Sequence, residues 1–493
     1  MHLAVTGLGK GVVPWVVAWV ALWVLDLALL DRIPWLPAID EGSYASAAFR
    51  FAHTGRAGVP MAQGLFGMDQ DLVMYGRIPA AAVGLALRLG GIDPAVARAP
   101  ALFIVTLTTP VVFAFARRCQ ASIPVAGAAA LLWYVSVPAR LLAHTARPDP
   151  FILLFAIVAA WFFFQGLQNG RPAQFLLTGL VAGASLEAHM VGSALALTLG
   201  ILALALSPSG RRIRNALLLV AGALPPALVW LAVHVGSQPD LWRLQWGGLW
   251  RHWAPAPLLE GPLAILRSMA LRYGEYYWGA RYHRYLFEVP FLIAGLVFGL
   301  RQGGLARGLS WFVVVFHLCL ALLSSLFHAE YMFAVYPLAC VLIAMACFGG
   351  SRRAPKLLGI SLFAFYLLQT GYWVAKRPTP LPERVRAAVL ARVGGQTFLA
   401  ADNLWFSFPN ERGFHSVVAA HLVPLWAPDL DRPAGFEKYL RQQQIEFIVM
   451  DSVFDSFLTP LLPGFLDQRA TLIEQFPYGR GQSIKIFRIR VPG

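Results

Sequence analysis

The sequence has few charged residues and few cysteines. Only 13% of its 493 residues are charged, whereas 58% are hydrophobic. A soluble globular protein has about a quarter of its residues charged, so this composition excludes that class and indicates a polytopic membrane protein. No metal-binding or redox spacing links the four cysteines, Cys119, Cys319, Cys340 and Cys347. We therefore predict that they are small buried side chains.

Acidic residues are scarce as well. The chain has 25 Asp and Glu against 40 Lys and Arg, which gives a net charge of +15. In a membrane protein Lys and Arg collect in cytoplasmic loops, so this excess concerns topology and does not favour nucleic-acid binding. Apolar runs that span a bilayer, or nearly do, lie at 12–31, 96–116, 121–139, 149–166, 173–187, 189–206, 213–234, 286–300, 308–326, 331–348 and 355–374.

If these eleven segments alternate, the basic loops share one side with the N-terminus, and the positive-inside rule makes that side the cytoplasm. Counting residues 75–91 as a further span would move most basic loops outside. We therefore predict a juxtamembrane helix on the outer surface there. The predicted location is a bacterial inner membrane, with the C-terminus on the periplasmic or extracellular side.

The composition changes after the last apolar run, where prolines end the helix and charged residues become frequent. We predict a transmembrane domain over 1–376 and an outer α/β domain over 377–493. The second domain has predicted buried strands at 397–402 and 445–451, a helix at 435–444 and a terminal strand at 483–491. The predicted fold class is thus a mainly α polytopic membrane protein with about 11 transmembrane helices and a small C-terminal extramembrane α/β domain.

Two adjacent acids, Asp40 and Glu41, follow the first apolar run on the outer side. Charged residues near a membrane are costly, which makes them candidates for function. We predict that Asp40 is a general base and that Glu41 orients an acceptor or shares a proton. The alternative for Asp40 is a capped turn or a salt bridge with Arg32. Asp26, inside the first run, is interpreted as a residue that snorkels or pairs within the helix bundle.

The second outer loop contains His144, Arg147 and Asp149. Asp149 opens the next span, so a helix N-cap and a role in the active site are equally good interpretations. The sequence Glu187-Ala188-His189 is interpreted as a turn or an interhelical pair.

A third polar group, with His328, Glu330 and Tyr331, lies at the outer end of a later span. It is either a substrate contact or an ordinary interfacial cluster. A divalent metal bound by the histidines and acids of these outer loops stays open, although no short-range ligand spacing supports it.

Residues 236–285 are rich in tryptophan and arginine. Trp242, Trp246, Trp250 and Trp253 form one stripe on a helix, which is typical of an interfacial belt. The arginines of this segment, among them Arg251 and Arg281, favour a phosphate-binding surface on the outer side. Arginines that pack on the tryptophans are the alternative.

These groups suit the transfer of a sugar from a lipid phosphate. A carboxylate takes the acceptor proton, cations stabilise the departing phosphate, and an apolar groove holds the lipid. A single displacement inverts the anomeric carbon. A transporter or flippase of lipid-linked sugars is the alternative, although such proteins usually have inverted repeats, and none is evident here.

Three motifs in order resemble the GT-C glycosyltransferases. They are Asp40-Glu41 with Tyr44, Arg147-Pro148-Asp149, and Glu330-Tyr331 leading to Tyr336-Pro337. The pattern is most similar to the dolichyl-phosphate-mannose protein mannosyltransferases and the bacterial lipid A aminoarabinose transferase, over residues 1–375. Ile78-Pro79 stands where members often have Pro-Pro, and Glu187-Ala188-His189 stands where many have a lysine.

The resemblance implies an inverting transferase with a polyprenyl-phosphate sugar donor and a site on the periplasmic or lumenal face. It implies a catalytic role for Asp40, Glu41 and Asp149. The predicted partners are the lipid-linked donor, membrane lipid, and an acceptor that is a glycan, a lipid or a protein. The residues predicted to contact substrate are Tyr44, His144, Arg147, Arg251, Arg281, His328, Glu330 and Tyr331.

Overall fold

Helices make up most of the structure. A computed structural model describes residues 9–30, 40–73, 75–249, 261–278, 286–323, 329–376, 381–409, 413–478 and 482–490. The helices before the C-terminal domain are α1 (Gly9–Leu29), α2 (Glu41–Thr54), α3 (Arg77–Gly90), α4 (Pro94–Arg118), α5 (Ile123–Val135), α6 (Val137–Ala143), α7 (Asp149–Asn169), α8 (Pro172–Ala184), α9 (Gly192–Leu206), α10 (Arg212–Trp230), α11 (Pro239–Leu249), α12 (Pro262–Trp278), α13 (Val289–Gln302), α14 (Gly304–Leu323), α15 (Tyr336–Phe348) and α16 (Arg353–Lys376).

Five helices in the described ranges are long and apolar enough to cross a membrane. The consecutive helices α5 and α6 bend by 54° and form a sixth candidate if they are one span. Each of the eleven predicted segments falls on a helix, but α8, α9 and α13 have only 13, 15 and 14 residues. A straight span needs about 20 residues. Length and composition therefore do not confirm the predicted count of eleven.

Glycines let two of these helices approach closely. Gly179 of α8 lies against the backbone of Leu219, and Gly222 of α10 lies against the backbone of Leu176. A methyl group at either glycine would overlap a main-chain carbonyl. Small residues commonly make such contacts between helices in membranes, where close van der Waals packing drives association.

The C-terminal part contains a five-stranded sheet with the order β2-β1-β3-β5-β4. Strand β1 (Phe398–Ala400) is parallel to β2 (Phe414–Ser416) and β3 (Phe447–Met450), while β5 (Gln482–Ile489) is antiparallel to β3 and β4 (Ala470–Tyr478). The helices of this part are α17 (Glu383–Val393), α18 (Val418–Trp426), α19 (Arg432–Gln442), α20 (Ser452–Leu461) and α21 (Phe465–Arg469). The three predicted strands and the predicted helix all have counterparts, whereas β2 and β4 were not predicted.

The C-terminal sheet packs directly on α2. Ala45 and Ala48 of α2 and Val83 of α3 share one apolar cluster with Phe398 and Ile484 of the sheet. At the start of α2, Gly42 touches the main chain of Asp402, so that any side chain there would collide with its carbonyl oxygen. The turn that contains Asp40 and Glu41 is thus in contact with the C-terminal domain.

This contact makes Gly42 sensitive to a small change. We expect Gly42→Ala to lower the unfolding temperature in detergent, because overpacking of a rigid backbone contact usually costs about 1–3 kcal/mol. Gly200→Ala in α9 is the matched control, since nothing lies within 4 Å of the added methyl group. Equal unfolding temperatures for both variants would contradict the close contact.

Candidate active site

The guanidinium of Arg147 joins two of the predicted acids. Its Nη1 lies 3.2 Å from Oδ1 of Asp40, and its Nε lies 2.9 Å from Oδ2 of Asp149. The side chains of Arg147 and Asp149 are buried, whereas that of Asp40 is 34% exposed. No described residue donates a hydrogen bond to Oδ2 of Asp40. Asp40 is therefore the acid of this group that a second molecule can reach.

The start of α7 determines the role of the Asp149 carboxylate. Helix α7 begins at Asp149, its cap residue is Pro148, and no side chain caps it. The N-cap interpretation of Asp149 is therefore wrong. The acid lies in the first turn, where the helix dipole favours a negative charge, and its carboxylate is committed to the guanidinium two residues earlier.

Glu41 makes a separate, fully occupied ion pair. Arg98 donates from Nε and Nη2 to its two carboxylate oxygens at 2.8 Å each, and the backbone N–H of Ala146 donates at 3.0 Å. Arg98 also donates to the carbonyl of Leu30 at 3.2 Å. Through these bonds Glu41 ties the start of α2 to α4 and to the loop before α7. Sequence reasoning missed Arg98, which lies inside an apolar run.

A further carboxylate–arginine pair joins α1 to α6. Asp26 of α1 pairs with Arg140 of α6, and both side chains are almost fully buried. Nε2 of His144 lies 3.7 Å from Asp26, and its ring is completely buried without a hydrogen-bond partner in the described ranges. The interpretation of Asp26 as an internal pair is confirmed. His144 is packed against this pair and is shielded from solvent.

Two tyrosines complete the surroundings of Arg147. The Tyr44 ring lies 5.1 Å from the Tyr75 ring, and the guanidinium carbon of Arg147 lies 5.9 Å from the centre of the Tyr44 ring. Burial raises the pKa of Tyr75, and Tyr44 and Asp149 raise it further. Tyr75 therefore stays protonated, and its buried hydroxyl has no hydrogen-bond partner among the described residues. Sequence reasoning missed this residue.

Other predicted contacts are dispersed or lie outside the described residues. Tyr331 is buried, and its ring lies 5.0 Å from that of His189. The predictions for Arg251, Arg281 and His328 fall outside the described residues, as does the side chain of Glu330.

A second polar network lies beside the site and explains Glu187. His234 Nε2 lies 3.1 Å from the Glu187 carboxylate, which also accepts a hydrogen bond from the backbone N–H of Arg77 at 3.1 Å. The segment around Glu187 forms a turn, which is one of the two predicted alternatives, whereas the pairing of Glu187 with His234 was not predicted. The Arg77 side chain makes two bonds to Asp71, at 3.0 and 2.9 Å, so this network holds the loop between α2 and α3 in place.

Metal ligands are not grouped in the described part of the chain, where no set of three His, Cys, Asp or Glu side chains is arranged to hold an ion. Between Asp40 and Asp149 the guanidinium of Arg147 takes the position that a bridging cation would take.

A groove opens on the outer side of α2. Its volume is about 470 Å³, and its walls come from α2, the loop after α2 and the C-terminal domain, with Phe49, Arg50, His53, Met61, Trp405 and Phe414 among the lining residues. The lining begins at Ser46, one helical turn beyond Ser43. The C-terminal domain therefore shapes the surface next to the predicted base.

Asp402 of the C-terminal domain reaches the same turn. Its carboxylate accepts hydrogen bonds from Ser43 of α2 and from Ser416 of β2, and the residue is fully buried. The pKa of the Asp402 carboxyl is raised to about 7. Burial is the largest cause and the charge of Asp40 adds to it, while hydrogen bonds from Ser416 and Ser43 act in the opposite direction. Sequence reasoning placed Asp402 at the end of a strand and gave it no role.

Known proteins share this architecture. Residues 78–235, under half of the chain, match the family model of the dolichyl-phosphate-mannose-protein mannosyltransferases. ArnT from Cupriavidus metallidurans in the apo state matches with a TM-score of 0.60 and 14% identity, over 97% of this chain and 98% of that chain. The chain has the fold of a GT-C glycosyltransferase.

ArnT bound to undecaprenyl phosphate gives a similar result, with a TM-score of 0.58 and 14% identity over 96% of this chain and 98% of that chain. No curated protein matches the sequence. The GT-C resemblance predicted from the three motifs is confirmed, and the apolar helices together with this fold identify an integral membrane protein.

The Glu41–Arg98 pair leads to a stability prediction. Removing one partner of a buried ion pair leaves an uncompensated charge, which typically costs about 3–5 kcal/mol. We therefore expect Arg98→Met to lower the unfolding temperature in detergent strongly. Arg88→Met, an exposed arginine of α3, is the matched control and should leave it nearly unchanged. Similar unfolding temperatures for the two variants would mean that the pair is not structural.

Asp402 leads to a pH prediction. Its pKa is about 7 in the folded protein and 3.8 in the absence of burial, so the folded state holds a proton that the unfolded state has lost. Its contribution to stability is then complete below about pH 4 and is lost as the pH rises through 7. We expect the unfolding temperature of the wild type to fall, relative to that of Asp402→Asn, between pH 5 and pH 8. A constant difference across this range would contradict the raised pKa.

Proposed function

We propose that the protein is a membrane glycosyltransferase that moves a sugar from a polyprenyl-phosphate donor to an acceptor at the periplasmic face, with inversion. The observation that carries the proposal is the accessible carboxylate of Asp40, which Arg147 holds beside Asp149. The fold shared with ArnT, a protein crystallised with undecaprenyl phosphate, supports the choice of a lipid-linked donor.

Asp40 acts as the general base in this proposal. Its carboxylate takes the proton of an acceptor hydroxyl or amine while the acceptor atom attacks the anomeric carbon. The bond between that carbon and the phosphate oxygen breaks, and the lipid phosphate leaves with the electron pair. Because phosphate is a good leaving group, no general acid is needed. One displacement of this kind inverts the anomeric centre.

The neighbouring groups position the base. Arg147 binds Oδ1 of Asp40 and leaves Oδ2 without a donor among the described residues, so that this oxygen can receive the proton. Asp149 holds Arg147 from the other side, and Glu41 fixes the start of α2 through Arg98. For the phosphate we retain Arg251 and Arg281 as the proposed ligands, since guanidinium groups bind phosphate through two parallel bonds.

The proposed topology follows the basic loops. With the N-terminus in the cytoplasm, α2 and the C-terminal domain lie on the periplasmic side of a bacterial inner membrane. A lipid-linked donor would then enter from the bilayer, and the acceptor would approach from the periplasm.

A transfer assay tests the proposal directly. Purified protein in detergent is incubated with radiolabelled polyprenyl-phosphate sugars and an envelope extract as the source of acceptors. We expect the label to move from the donor to an acceptor. The alternative is measured with the protein reconstituted in vesicles. If labelled lipid crosses the bilayer and no covalent transfer occurs, the protein is a flippase and the proposal is wrong.

Removal of the base should stop the reaction. We expect Asp40→Asn to reduce the rate of transfer by about 10²–10⁴-fold, the usual contribution of general-base catalysis. Its unfolding temperature should remain close to that of the wild type, since the side chain is one-third exposed. Asp240→Asn, with a side chain that is 94% exposed, is the control and should retain full activity. If Asp40→Asn kept more than about a tenth of the activity, another group would be the base.

A further inference from the structure

The carboxyl end of β1 contacts the turn that carries Asp40, and the carboxyl ends of β2 and β3 are linked to it. Asp402 follows β1, Ser416 ends β2, and Asp451 follows β3. Asn403 donates a hydrogen bond to Asp451 at 3.3 Å, which links the ends of β1 and β3. In open α/β sheets this edge binds ligands, at the point where strands on either side connect in opposite directions. Here the edge is covered by the start of α2.

The contact at this edge is specific. Ser43, three residues after Asp40, donates its hydroxyl hydrogen bond to one oxygen of Asp402, while Ser416 donates to the other. Gly42 lies on the main chain of Asp402 with no room for a side chain. The Asp40 turn is therefore held by Arg98 of α4, by Arg147 of the loop before α7, and by Asp402 of the C-terminal domain.

We propose that Asp402 is a positioning residue for the transfer reaction. By accepting the hydrogen bond of Ser43, it fixes the first turn of α2 and thereby the direction of the Asp40 carboxylate. The C-terminal domain then completes the active site instead of serving only as an appendage. This inference rests on the proposed function, because it assigns Asp402 to the same site.

The groups around Asp402 define how its charge acts. Asp40 and Ser43 face it from α2, Ser416 faces it from β2, and Tyr439 of α19 lies close enough for their charges to interact. Because Asp402 is fully buried behind Ser43 and Ser416, an acceptor molecule cannot reach its carboxylate. It can act on the reaction only through the position and the electrostatic surroundings of Asp40.

Two variants remove this link from opposite sides. Asp402→Asn keeps the shape and mimics the protonated form, and Ser43→Ala removes the donor. With the undecaprenyl-phosphate sugar that the wild type uses, and a fixed amount of envelope extract, we expect each variant to lower kcat about tenfold with less than a twofold change in KM for the donor. The double variant should be no slower than either single one, because all three lose the same interaction.

The pH dependence separates positioning from a simple loss of fold. Between pH 6 and 8 the wild-type kcat should follow the ionisation of Asp402, and Asp402→Asn should abolish that part of the profile. Asp455→Asn is the control, because Asp455 is an exposed acid of the same domain whose carboxylate accepts a hydrogen bond from Thr459 of its own helix at 2.7 Å. It should match the wild type in rate and pH profile. Unfolding temperatures in detergent identify any variant that is misfolded, and Ser43→Ala then provides the test.

The outcomes distinguish this inference from the proposed function. If Asp40→Asn is inactive while folded Asp402→Asn and Ser43→Ala have wild-type kcat and pH profiles, the inference is overturned and the proposed function stands. If the losses of the single variants multiply in the double variant, the Ser43–Asp402 bond is not the link, and the inference is equally wrong. If the wild type transfers no label from any donor, the proposed function fails and this inference fails with it.

Discussion

The cost of burying charge governs the architecture around α2. Three arginines pair with carboxylates in this part of the protein: Arg140 with Asp26, Arg98 with Glu41, and Arg147 with both Asp40 and Asp149. A buried carboxylate without a cation would be protonated or would destabilise the fold. Arg140, Arg98 and Arg147 are distant in sequence from Asp26, Glu41 and Asp40, so these three pairs fasten α1 and the start of α2 to α6, α4 and the loop before α7.

The C-terminal domain depends on the same turn. Its sheet shares an apolar cluster with α2 and α3, and its carboxyl edge contacts Gly42 and Ser43. The turn is consequently fixed by ion pairs on the membrane side and by a hydrogen bond on the domain side. A group fixed from two directions retains its geometry when substrate arrives, which is the preorganisation that catalysis requires. Separating the domain from the helices would remove one of these two supports.

Sequence reasoning located the helices and the acids because both have local signals. Apolar runs of span length identify helices, and an acid next to such a run is conspicuous because it is costly there. The partners had no such signal: Arg98 lies at the start of an apolar run, Tyr75 lies in the loop before α3, and Asp402 is more than 350 residues from Ser43. Pairings at such separation are decided by tertiary packing. The N-cap interpretation of Asp149 was wrong for the same reason, since Arg147 competes for the carboxylate.

Exposure then divides the roles among the carboxylates. Glu41 accepts three hydrogen bonds, Asp149 is bound to Arg147 below the surface, and both oxygens of Asp402 are occupied. An acid surrounded in this way cannot exchange a proton with a substrate unless it first breaks its own bonds. Asp40 is the most exposed of these four, and one of its oxygens is anchored by Arg147 while no described residue binds the second. The other three hold their neighbours, so the one exposed carboxylate can react without moving.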